Sequence, residues 1–182
     1  MNNTFSPQLN TAVNASLLAG KSVMRFYSRL DSLKITSKGF NDYVSEADQE
    51  SELIITDALK KSYPKYKITA EESGSNDVNS DYEWFIDPLD GTTNFIHGIP
   101  QFAISIGLCK NKIPILGVIY DPFKNELFCA EQGTGALLNN KKIRVSSCQR
   151  IKSAVFGTGI PYRKKDHSGV YIETLRALMD AR

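Results

Sequence analysis

Asp87-Pro88-Leu89-Asp90-Gly91-Thr92-Thr93 sets two carboxylates three residues apart, directly after the apolar run Trp84-Phe85-Ile86. Acids at the end of a buried strand are costly unless something compensates their charge. A hard divalent cation does so, because it prefers carboxylate and carbonyl oxygens. Backbone N–H groups of the Gly-Thr-Thr turn can then face a bound phosphate. The combination points to metal-assisted phosphate chemistry. Alone, Asp-x-x-Asp-Gly is a common turn. A second acidic segment argues against that reading: Glu71-Glu72-Ser73-Gly74 follows the alternating run Tyr66-Lys67-Ile68-Thr69-Ala70. A third acid, Asp48, lies in Val44-Ser45-Glu46-Ala47-Asp48-Gln49.

The elements that must position these acids are legible in outline. Ser6-Pro7 reads as an N-cap followed by proline at the first helical position. Leu9, Val13, Leu17, Gly20, Met24 and Tyr27 continue at helical spacing, and Ala12, Ala15, Ala19 and Gly20 allow close packing. Lys38-Gly39-Phe40-Asn41-Asp42 reads as a turn. A second helix is predicted from near Ser45 to about Tyr63, with Leu53, Ile54, Ala58 and Leu59 on its buried side. Pro64 ends it, and Asp48 falls in its first turn, where negative charge suits the helix dipole. Strands are predicted at Tyr66–Ala70, Glu83–Ile86, Phe102–Cys109, Pro114–Tyr120, Glu126–Ala130, Gly135–Leu138 and Lys142–Val145, joined by short turns as an antiparallel meander. A further strand is predicted at Ala154–Gly159 and a helix at Ser168–Arg182. Two helices followed by a run of strands define an α+β fold.

Composition narrows the class. The 182 residues, 41% hydrophobic and 23% charged, suit a globular domain with a sizeable core. A net charge of +2 and the short cluster Arg163-Lys164-Lys165 do not suggest a nucleic-acid partner. No apolar stretch approaches a membrane span and no secretory leader is visible, so a cytoplasmic protein is expected. Cys109, Cys129 and Cys148 lack metal-type spacing and read as reduced thiols, the first two in strand cores. His97 lies in a Gly-Pro loop and reads as structural or solvent-facing.

Taken together, Asp48, Glu71-Glu72-Ser73, Asp87-Pro88-Leu89-Asp90-Gly91-Thr92-Thr93-Asn94-Phe95, His97-Gly98-Ile99-Pro100 and Ala103-Ile104-Ser105-Ile106-Gly107 resemble the inositol monophosphatase family of magnesium-dependent, lithium-sensitive phosphatases. Thr93-Asn94-Phe95 resembles the inositol branch rather than the nucleotide-phosphatase branch. The resemblance covers nearly the whole chain and implies a layered αβαβα fold of the sugar-phosphatase type. Residues 1–150 would form the helix pair and antiparallel sheet that carry the metal site, and residues 151–182 the opening strand and helix of a second half. The resemblance further implies that Mg²⁺ is held by Glu71, Asp87, the Leu89 carbonyl and Asp90. Glu71, Thr92 and Asp48 would act in catalysis, Thr92 orienting the attacking water. Asp87, Leu89, Asp90, Gly91, Thr92 and Lys38 would line the substrate, a small phosphorylated cyclitol or sugar. Asp42 and Glu72 read as turn-capping and supporting residues. A homodimer is implied, and some bacterial relatives also contact the transcription machinery.

The family pattern also has a later Trp-Asp pair whose Asp is a metal ligand. The single tryptophan here, Trp84, is followed by Phe85. The chain is therefore expected to represent the N-terminal portion of a longer fold, with very low activity by itself. The function expected is hydrolysis of myo-inositol monophosphate to inositol and phosphate. The alternatives are a non-catalytic binding or regulatory module or remnant, and a phosphatase of another sugar phosphate or phosphonucleotide.

Overall fold

A computed structural model describes residues 5–39, 42–160 and 168–181, except for the side chains of residues 37–39 and 42. The Arg163-Lys164-Lys165 cluster and the middle of the predicted 38–42 turn lie outside the described residues. Helix α1 (Pro7–Tyr27) starts as its sequence predicts: the Ser6 hydroxyl accepts from the Leu9 N–H, and Pro7 occupies the first turn. A hairpin of β1 (Ile35–Gly39) and β2 (Asp42–Ser45) leads into α2 (Glu46–Ser62). Ser45 caps α2 in a reciprocal capping box: its hydroxyl accepts from helix N–H groups, while Asp48 accepts from the Ser45 backbone N–H.

Of the residues predicted on the buried side of α2, Leu59 is buried and Ile54 and Ala58 pack against the core, but Leu53 does not. Leu53 is 59% exposed, whereas Asp48, Ser51 and Glu52 are buried together with Ala47, Ile55, Thr56 and Leu59. Apolar periodicity errs at Leu53 because the inward stripe is polar in its first half.

Eight strands form one sheet in the order β10-β9-β8-β7-β6-β5-β3-β4. These are β3 (Lys67–Ala70), β4 (Gly74–Ser75), β5 (Tyr82–Asp90), β6 (Ala103–Lys110), β7 (Ile113–Asp121), β8 (Glu126–Glu131), β9 (Gly135–Leu138) and β10 (Lys141–Lys142). The short helix α3 (Thr92–Ile96) lies between β5 and β6. From β5 to β10 the sheet is the predicted antiparallel meander. The β3–β5 pair is parallel, with Ala70 opposite Ile86, so the all-antiparallel expectation is corrected there.

One face of the sheet is closed by the two long helices, α1 against β6 and β7 and α2 against β5. The core lies between: Leu9, Ala12, Ala19 and Val23 from α1, Ile55 and Leu59 from α2, and Trp84, Ile104, Ile106, Leu108 and Val118 from the sheet. The opposite face leaves Phe85 and Ile119 exposed. Contacts divide the chain into two compact units, Met1–Ile143 and Arg144–Arg182. In the second unit the predicted strand at 154–159 does not form. Ile151–Ser153 is a 3₁₀ turn, Val155 is exposed, and α4 (Ser168–Asp180) follows. Among the described residues no helix is long and apolar enough to cross a membrane.

Gly20 faces Tyr120 of β7. A methyl group there would overlap the Tyr120 ring and reach 3.2 Å from Pro122 Cβ. Gly20→Ala is therefore expected to destabilise the fold by about 1–3 kcal/mol through overpacking, despite the gain of about 1 kcal/mol in helix propensity. Urea unfolding checks this; a raised midpoint would refute the contact.

Candidate active site

The parallel pairing of β3 and β5 is what gathers the acids. With Ala70 opposite Ile86, the next residue of each strand is Glu71 and Asp87, and the Glu71 N–H donates to the Ile86 carbonyl at 3.1 Å. Glu71 and Asp90 are the charged neighbours of the Asp87 carboxyl group. Asp90 joins them through a bulge in β5. Asp87 pairs with Ser105 and Asp90 with Ala103, so three steps along β5 match two along β6. Ser105 and Ala103 lie on one face of β6, and the extra residue returns Asp90 to the side of Asp87. Pro88, which has no N–H for the ladder, sits inside the bulge.

Burial and like charge act on Asp87 together. Desolvation, then the Glu71 carboxylate and its hydrogen bond, then the Asp90 charge raise its pKa to about 7; the Leu89 N–H, which donates to Oδ1 at 3.1 Å, opposes them. Glu71 and Asp90 are exposed to solvent. Among the described residues no three His, Cys, Asp or Glu side chains close on a common point.

Gly91 turns the chain from β5 into α3. Its φ of +89° is left-handed, and a Cβ there would lie 2.8 Å from the Gln101 carbonyl, so only glycine fits. The Thr92 hydroxyl lies 2.9 Å from Asp48 Oδ1 and 2.9 Å from the Leu89 carbonyl. Asp48 is 2% exposed. Burial raises its pKa, against hydrogen bonds from the Ser45 hydroxyl and N–H and from Thr92. Asp48 thus stands in the first turn of α2, as its sequence predicts, and also binds Thr92.

The structure thus brings together Asp48, Glu71, Asp87, Leu89, Asp90, Gly91 and Thr92. The backbone of Lys38 lies in β1, and its side chain and that of Asp42 lie outside the described residues. His97 is exposed and its Nδ1 sits 2.7 Å from the Thr93 carbonyl, a local contact. Two residues escaped the sequence reading. Ser51 donates from its hydroxyl to the Pro88 carbonyl at 2.7 Å, and Glu52 accepts from the Glu72 and Ser73 N–H groups at 2.8 and 3.0 Å. The signal that could have found them is their spacing from Asp48, three and four residues on, along one side of α2.

Comparison with known proteins gives the family. The profile of the inositol monophosphatase family matches residues 5–178, and the chain belongs to that family. It is 41% identical over 178 residues to the Nus factor SuhB of Haemophilus influenzae, covering 97% of this chain and 66% of that protein. It is 41% identical over 175 residues to an inositol-1-monophosphatase of Mesorhizobium japonicum, covering 96% and 66%. The crystal structure of the extragenic suppressor protein suhB from Bartonella henselae superposes with a TM-score of 0.92 at 42% identity, covering 97% of this chain and 68% of that one. The chain spans 66% of the length of the two curated relatives.

The raised Asp87 has a measurable consequence without metal. Unfolded, Asp87 ionises at its ordinary value of 3.8; folded, it keeps its proton to about 7. Between these values the folded chain binds more protons than the unfolded chain, so its stability falls as pH rises. Asp87→Asn should remove most of that slope and leave the contribution of Asp48, which has the same sign. Thermal unfolding in EDTA across this range checks it; equal slopes in the two proteins would refute the assignment.

Proposed function

We propose that this chain serves the Mg²⁺-dependent hydrolysis of a phosphate monoester, with myo-inositol monophosphate the leading substrate and inositol and phosphate the products. The observation that carries the reading is the paired Glu71 and Asp87 with Asp90 beside them, immediately before the Gly91-Thr92 turn. The donor set fits the metal. It is made of oxygen atoms, and its mutual repulsion, visible in the raised Asp87, is what a divalent cation would relieve. Glu71, Asp87, the Leu89 carbonyl and Asp90 would hold Mg²⁺. Bound there, the metal supplies positive charge that acidifies a nearby water and offsets charge on the leaving oxygen.

The chain's own residues do the rest. The Thr92 hydroxyl has one hydrogen and cannot donate to Asp48 and Leu89 at once. Donating to Asp48, it turns its lone pairs outward, where they accept a hydrogen from water and orient it. Asp48 keeps that polarity because its other oxygen is tied to Ser45. A Glu71 oxygen accepts the second hydrogen of the water. The N–H groups of Gly91 and Thr92 contact the phosphate, which the missing glycine side chain admits, and Lys38 adds positive charge. Residues 1–150 carry this site, and 151–182 begin a second half. The same reading includes a cytoplasmic homodimer.

A second reading is favoured by the relatives that bear the name Nus factor: a binding role that does not depend on turnover. Phosphate release from inositol 1-phosphate with Mg²⁺ separates the two. Slow turnover that Asp87→Asn lowers at least about 100-fold supports the phosphatase, since the metal contributes several kcal/mol to the barrier. No turnover by the folded chain, together with a stable partner in pull-downs, supports the binding role. A panel of sugar phosphates and phosphonucleotides tests the choice of substrate.

A further inference from the structure

Helix α2 buries its first two turns through polar groups. Ser51 is 0% and Glu52 5% exposed, beside Asp48 at 2%. A carboxylate so enclosed stays in a fold only if its oxygens are satisfied. Those of Glu52 are satisfied by two consecutive backbone amides: Oε2 accepts from the Glu72 N–H at 2.8 Å and Oε1 from the Ser73 N–H at 3.0 Å. These amides belong to the turn that follows Glu71. On the other side of Glu71, its own N–H is held by the Ile86 carbonyl at 3.1 Å, the last rung of the parallel pair. The backbone of Glu71 is therefore held before its Cα by the sheet and after it by Glu52. One helical position earlier, Ser51 holds the Pro88 carbonyl inside the β5 bulge, between Asp87 and Asp90. Adjacent residues of one helix thus hold the two separate acidic segments.

We propose that Glu52 is a positioning residue: its carboxylate clamps the 71–73 turn and so sets the direction in which Glu71 presents its oxygens to the metal. The inference rests on the metal site proposed above and adds a residue that never touches metal or substrate. Packing alone does not account for Glu52. An apolar side chain of similar size would avoid the cost of desolvating a charge, but it would leave the two amides unpartnered and the turn free to rotate. Charge-assisted hydrogen bonds from two consecutive N–H groups fix orientation as well as distance.

The test is Mn²⁺ binding to the 182-residue chain, followed by electron paramagnetic resonance of the free ion, for the wild type, Glu52→Gln and Glu52→Asp. Glutamine keeps one acceptor and places an NH₂ against the second amide. Mn²⁺ affinity should fall roughly 10–100-fold in Glu52→Gln, the usual effect of removing a group that orients a metal ligand. Glu52→Asp, which keeps both acceptors on a shorter stem, should recover part of the loss. Equal affinity in wild type and Glu52→Gln overturns the clamp and leaves the metal site standing. No binding by the wild type overturns both. Amide hydrogen exchange of the wild type needs no variant to fold: slow exchange at Glu72 and Ser73 without metal is expected, and exchange at the rate of an open loop overturns the clamp.

Discussion

The arrangement of this site depends on a carboxylate that has almost no access to water. Asp48 must find its hydrogen-bond donors inside the fold, and it finds them in two separate segments. Oδ2 takes the backbone N–H and hydroxyl of Ser45, which starts α2; Oδ1 faces the hydroxyl of Thr92, which opens α3. Each partner it lost would leave part of a buried charge uncompensated, at a cost of about 1–3 kcal/mol or more. The start of one helix and the turn at the end of β5 are therefore fixed to each other. The left-handed Gly91, the Thr92 hydroxyl and the buried Phe95 beyond it all inherit their places from that link.

Strand pairing supplies what a helix cannot. A parallel neighbour places two successive strand ends side by side, so Glu71 and Asp87 meet through register alone. A bulge then brings a second acid of the same strand back to the same side. The result opposes folding locally, because burial and the like charges of Glu71 and Asp90 raise the pKa of Asp87. The fold tolerates this at the rim of the sheet, where Glu71 and Asp90 retain solvent. Local charge conflict combined with a fixed backbone is a pattern that clusters at functional sites.

Much of this could be read from the chain. The start of α1 and both ends of α2 followed from Ser6-Pro7, Ser45 and Pro64, because caps and prolines act within a few residues. The meander from β5 to β10 followed from alternation and short turns, since its pairings join neighbours in sequence. The acidic motifs could be named for the same reason: their spacing is local. Three features could not be read. The parallel β3–β5 pair depends on a crossing that leaves no local mark. The inward stripe of α2 is polar where it meets the site, so apolar periodicity pointed to Leu53. Apolar residues at 154–159 suggested a strand, but a strand needs a hydrogen-bonded neighbour as well as the right side chains. Glu52 was missed on similar grounds: in sequence it is a glutamate on a helix, and only the distant amides of Glu72 and Ser73 give it a role.

The two long helices divide the work of holding the sheet. Helix α1 meets it with Leu9 and Val23 and with Ala12, Ala15, Ala19 and Gly20, the small residues permitting close contact. A large apolar side chain buried there stabilises the fold by roughly 1.5–3 kcal/mol, comparable to the cost of one unsatisfied buried polar group on α2. That comparison explains how α2 can turn Asp48, Ser51 and Glu52 inward: each is satisfied, and the apolar contact of α1 and of Ile55 and Leu59 carries the stability. It also separates two kinds of damage. Loss of volume or close contact along α1 weakens the whole fold. Loss of a hydrogen bond along the first turns of α2 falls first on the placement of the acids, because the groups that satisfy those side chains are the backbone and hydroxyls of the acidic segments.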